Sequence, residues 1–73
     1  MKLSTYLKQL ARNIRAARVR VGLRQHDVEE LIGLTYRHYQ NIEAGKINVR
    51  IGTLLILADL YETTVEELVR RRK

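Results

Sequence analysis

No cysteine, proline, tryptophan or phenylalanine occurs among the 73 residues. Without cysteine there is no disulfide framework and no thiolate metal centre. Without proline no helix is broken by a missing amide donor. Only 4 glycines punctuate the chain, so long stretches are free to be helical. No apolar run approaches the roughly 20 residues of a membrane span; the longest, at 54–58, reads LLILA. The N-terminus carries Lys2 but lacks the continuous apolar segment that marks a secretory leader. These absences predict a cytoplasmic, all-α protein forming one domain over 1–73. A chain this short buries only about 60% of its unfolded surface on folding, so well-packed helices or a second copy of the chain must help to stabilise it.

Acid is also missing from one part of the molecule. The first 26 positions hold Lys2, Lys8, Arg12, Arg15, Arg18, Arg20 and Arg24 and no carboxylate. With 14 basic against 8 acidic residues the net charge is +6, and 70–73 is a further basic run that is either a solvated tail or a phosphate contact. Such a field attracts polyanions and speeds encounter with them. Arg12, Arg15 and Arg20 fall off the apolar stripe of their helix and are expected to reach solvent.

The residues that are present fall into five helical patterns. Leu3, Leu7, Leu10, Ile14, Ala17 and Val21 recur at alternating spacings of four and three, one stripe on a first helix over 5–21. Ser4 is its expected N-cap and Gly22 its stop. A second helix covers 25–32, with Val28, Leu31 and Ile32 on its inner edge. Gly33 allows a sharp turn, and Thr35 caps a third helix over 36–44 with Tyr39 and Ile42 facing inward. After Gly45 and a loop, a fourth helix over 50–61 points Leu54, Leu57, Ala58 and Tyr61 into the core. Thr64 with Glu67 reads as a capping box opening a fifth helix on Val65, Leu68 and Val69. Ile56 and Leu60 lie on another face of the fourth helix. They suit either packing beneath Leu3, Tyr6 and Leu7 or a two-fold dimer contact through helices four and five, and the dimer is the expectation.

The spacing of Gln25, Gly33 and the helix after it carries the functional reading. A short helix, a glycine-permitted bend and an amphipathic helix set two helices across each other. The second presents Thr35, Tyr36, Arg37, Gln40 and Asn41 on a polar face at its N-terminal end. Arginine can bond guanine twice, asparagine or glutamine can pair with adenine in the major groove, and tyrosine can reach a phosphate or a thymine methyl group. The stretch LRQHDVEELIGLTYRHYQNIEAGK, 23–46, resembles the helix-turn-helix of the Cro-like phage-repressor family, also called XRE-type. LLILADLYETTVEEL, 54–68, is similar to its fourth and fifth helices, and 14–22 to its first. The resemblance implies a compact five-helix, lambda-repressor-like domain, here with an extended first helix, that binds duplex DNA as a small transcriptional regulator or repressor. It implies a phosphate contact for Gln25, with a part in orienting the recognition helix. It implies groove contacts for 35–41, backbone contacts at Gly45, Lys46 and Arg50, and an orienting ion pair between Arg18 and Glu43. The operator is expected to be near-palindromic and the binder a homodimer. Phage or mobile-element repressor, restriction-modification controller and antitoxin all remain open as roles.

The chain departs from the family pattern at several points. Glu29 stands where alanine is usual and Tyr39 where isoleucine or valine is usual, so the Tyr39 hydroxyl is expected to reach Glu29 or water at the domain edge. Val49 replaces a common proline, Arg50 a common serine cap and Glu62 a common glycine stop. His26 and His38 have no partners at metal-ligand spacing. The adjacent pairs Glu29–Glu30 and Glu66–Glu67 diverge on their helices rather than forming a catalytic dyad. No activated nucleophile or base can be assembled, so neither an enzyme nor a cofactor is expected. The rival reading is a protein-interaction module, or an antitoxin, that keeps the fold without reading an operator.

Overall fold

The computed structural model describes residues 2–72. Its helices are α1 (Leu3–Arg20), α2 (Gln25–Ile32), α3 (Tyr36–Glu43), α4 (Ile51–Leu60) and α5 (Val65–Leu68). The fold is all-helical, as the sequence patterns predict. α1 starts earlier than a Ser4 cap would allow. Lys2 is the N-cap and its carbonyl accepts from the Tyr6 amide at 3.1 Å, which places Ser4 and Thr5 inside the first turn.

One buried cluster joins the helices. Leu10, Ile14 and Ala17 come from α1, Val28 from α2, Tyr39 and Ile42 from α3, Leu54, Leu57 and Ala58 from α4, and Leu68 from α5. Val49 and Tyr61 enter it from either end of α4. Leu31 does not join the inner edge of α2 as expected. It is 55% exposed, because Val28 and Ile32 fill the side of this short helix that faces the core.

The ends of the helices position the rest. Gly33 takes a left-handed φ of 76° and ends α2, its amide bonded to the Glu29 carbonyl. The Thr35 hydroxyl then accepts from the His38 amide at 3.2 Å and starts α3 as expected. α3 ends with the Gly45 amide on the Ile42 carbonyl and the Lys46 amide on the Asn41 carbonyl, the paired bonds of a Schellman motif. α4 ends in the same way, Glu62 on Asp59 and Thr63 on Ala58, but with Glu62 at φ 54° where glycine is usual. At α5 the Thr64 hydroxyl caps the Glu67 amide. The Glu67 carboxylate turns instead to Arg70 and Arg72, so the expected box is only half realised.

The basic run after α5 folds back on α1. The Asn13 side-chain amide donates to the carbonyls of Leu68 and Arg70 at 2.9 and 2.8 Å. The Arg72 guanidinium donates to the Asn13 side-chain oxygen at 2.9 Å. The described part of the run is therefore tethered to α1, while the side chains of Arg70, Arg71 and Arg72 stay exposed; Lys73 lies outside the described residues.

Candidate nucleic-acid interface

The first half of α3 faces outward. Thr35, Arg37 and Gln40 are exposed, and Tyr36 and Asn41 are half-buried. Tyr36 is held from two sides. Its ring stacks on His26 of α2, with centroids 3.9 Å apart and planes 10° from parallel. Its hydroxyl accepts from the Gln40 amide at 2.9 Å. His26 therefore holds the Tyr36 ring in place, a part that its sequence neighbours give no sign of. Arg37 is exposed.

The last turn of α3 is anchored inside. Arg18 donates through Nε and Nη2 to the two oxygens of Glu43 at 2.6 and 3.1 Å, and through Nη1 to the Leu23 carbonyl at 2.7 Å. The two side chains are 11% and 3% exposed, so the pair lies in a low-dielectric setting. Gln25 donates to Glu43 at 3.0 Å. The Tyr39 and Tyr61 hydroxyls hydrogen-bond each other at 2.6 Å. This corrects the expected reach toward Glu29. Tyr39 is fully buried, Glu29 is exposed, and the hydroxyl finds its partners inside.

The electrostatics follow from this geometry. Burial alone would raise the Glu43 pKa, but the hydrogen bonds from Arg18, Tyr39 and Gln25 outweigh it and hold the carboxylate below its usual range. The same pairing raises the pKa of Arg18. Burial raises the pKa of Tyr39 and pushes Tyr61 up to about 12. The network ties α1, α2, α3 and the end of α4 together around one charge.

Of the residues singled out from sequence, Gln25, Gln40, Asn41 and Lys46 line one shallow depression of about 360 Å³. The Gln25 amide engages Glu43 at the end of α3, in line with the orienting part expected of it. Arg50 is exposed and is the N-cap residue of α4. The expected pair Ile56 and Leu60 separates. Ile56 is 50% exposed, whereas Leu60 packs on the core, and Ile51 and Leu55, exposed at 64% and 55%, take its place on the outer face. Arg15 also lines the depression. Its signal was available, because it stands one turn before Arg18, which is tied to α3. Asn13 gave less warning, for a lone polar residue beside an apolar stripe shows no partner. Among the described residues no group of three or more His, Cys, Asp or Glu side chains could hold a metal ion, and no helix is long and apolar enough to cross a membrane.

The comparisons agree with this geometry. A family model described as helix-turn-helix matches residues 14–68. The control protein C.SmaI of Serratia marcescens is 35% identical over 63 residues, covering 86% of this chain and 75% of that protein. No solved structure matches.

Proposed function

The chain belongs to the Cro-like, XRE-type helix-turn-helix family of DNA-binding transcription regulators, and from that premise we propose that it binds a specific duplex operator, acting over 1–73 as one domain. α3 enters the major groove. Arg37 is the first base reader, with Tyr36, Gln40 and Asn41 beside it. Thr35 shares the groove face with them, Lys46 and Arg50 hold the backbone, and Gln25 divides its role between orienting Glu43 and approaching a phosphate. The observation that carries this reading is the division of α3: its outward face is polar and exposed at Arg37 and Gln40, while Glu43 in its last turn is gripped by Arg18 and Gln25. A reading surface has to be presented rigidly if it is to discriminate bases.

The binder is a homodimer reading two half-sites about 34–36 Å apart. The exposed aliphatic side chains of α4 support that state. Among the open roles, likeness to a protein named as a control protein supports the controller. Selection of bound sites from random duplex, followed by stoichiometry and salt titration on the winner, tests the proposal. A two-fold consensus and a steep loss of affinity with salt are expected. No enriched sequence and a flat salt response would favour the interaction module, for which the α4 face would be the docking surface.

A further inference from the structure

The side of α1 that turns toward the end of α3 carries Lys8, Arg12 and Arg15. With Glu43 and Ala44 they line a depression of about 210 Å³, and Arg15 continues into the neighbouring one with Lys46, Gln25, Gln40 and Asn41. The loop bearing Lys46 presses on α1 here. A Cβ placed on Gly45 would lie 3.4 Å from the Leu7 carbonyl oxygen and 3.5 Å from the Lys8 Cα. Four cations from two elements thus surround one edge of the recognition surface.

Their charge is left over. Glu43, the one carboxylate lining either depression, is already engaged by Arg18 and Gln25. Three other arginines have acidic partners, Arg24 on Asp27 and both Arg70 and Arg72 on Glu67. Among the described residues no ion pair takes up Lys8, Arg12, Arg15 or Lys46. Like charges held together raise the free energy of the folded state until an anion joins them.

We propose that Lys8 and Arg12, continuing from Arg15, form a second phosphodiester-binding strip that carries the DNA face outward along α1. The inference rests on the DNA-binding reading and adds to it a grip on backbone beyond the base pairs that α3 reads. The dimensions suit it. From Lys8 to Arg15 the helix rises about 10 Å, the axial length of about three phosphates of one strand at roughly 3.4 Å each. Residues 8 and 12 also lie upstream of the 14–68 stretch that the family model matches.

The test is the Lys8→Gln, Arg12→Gln double variant, both positions being exposed, with a thermal melt to establish that the fold is kept. Affinity is measured against salt on the selected duplex and on a random one, each with short and long flanks. The slope of log affinity against log salt should become shallower by about 2 per chain. Affinity should fall by the same factor on both duplexes, and the gain that the wild type draws from longer flanks should disappear. An unchanged slope in a protein whose wild type binds normally overturns the strip and leaves the DNA-binding reading intact. A loss confined to the selected duplex overturns it too, because these side chains would then be reading bases. A wild type with no salt-dependent duplex binding overturns the DNA-binding reading itself, and the strip with it.

Discussion

Glu43 is the residue on which the recognition surface turns. Removing its carboxylate leaves the Arg18 guanidinium nearly buried without a counter-charge and takes the acceptor from Gln25. A buried pair contributes little net stability against an apolar replacement, but breaking one side of it is expensive. Glu43→Ala is expected to destabilise the chain by about 3 kcal/mol in chemical denaturation; a loss under about 0.5 kcal/mol, the level of an ordinary surface change, would sink the assignment. Arg37 lives at the same scale with the opposite environment, exposed and unconstrained. Arg37→Ala should cost about 1–3 kcal/mol on the selected duplex and relax preference at one base pair. Equal weakening on every sequence would assign Arg37 to a phosphate instead. Among these residues, those at fixed offsets were legible from sequence: Arg18, Glu43 and Thr35 stand where the motif puts them. The hydroxyl of Tyr39 was not, because its partner Tyr61 comes from a helix 22 residues away. Two tyrosines both lying on inward stripes were the available hint, since each needed a partner inside.

Helix ends were read more accurately than helix faces. Gly33, Gly45 and Thr35 each act where the sequence places them, for turn chemistry is local. The outward face of α4 was misjudged because that helix is apolar nearly all round, and periodicity cannot choose a buried side when polar residues do not mark the other. Docking of the basic run on Asn13 was invisible for a related reason: the contact joins residues 55 and 57 positions apart. The end of α4 offers a quantitative test of the local chemistry. Glu62 closes a Schellman motif at φ 54°, a region that costs a side-chain-bearing residue about 1–2 kcal/mol. Part of that gain would be lost to the greater freedom of glycine in the unfolded chain. Glu62→Gly should therefore stabilise by about 0.5–1 kcal/mol, raising Tm by about 2–8 °C for a domain of this size. Melts at one fixed protein concentration read it, and a lowered Tm would show that the Glu62 side chain contributes more than its backbone strain removes.

The stability of the whole molecule against pH is set by groups whose pKa values burial and pairing have moved in opposite directions. Glu43 is lowered in the folded state from a usual 4.5. Its contribution is present above that value and is lost as pH falls through the lowered one. Tyr61 is raised from the usual 10.0 to about 12. Its neutral form favours the fold below pH 10, and that advantage is lost as pH rises from about 10 toward about 12. Stability should thus be nearly flat across the neutral range and fall at both ends. The acid limb should be weakened in Glu43→Gln, and an unchanged acid limb there would exclude Glu43 as its source.

Assembly is the remaining property of the whole chain, and here the surface of α4 decides. Ile51, Leu55 and Ile56 are at least half exposed on one helix, with Asp59 on the same outward side. Water is a poor neighbour for three aliphatic side chains on so small a domain. A second copy related by a two-fold axis would bury each of them against its counterparts. Leu60 is a poor probe of that contact, because it packs on the core and its loss would weaken the fold in any case. Ile56→Glu is the cleaner one. In a symmetric interface the new carboxylate is introduced twice, beside Asp59 of each copy, and must be desolvated near like charge. The dimer dissociation constant should rise by at least about tenfold, equivalent to about 1.4 kcal/mol, as read by sedimentation equilibrium. The melt extrapolated to low concentration should stay close to that of the wild-type monomer. Occupancy of the two half-sites should become stepwise, with single-half-site affinity retained. A wild type that sediments as one chain at every concentration, or a variant that still sediments as two, would rule out this face as the interface.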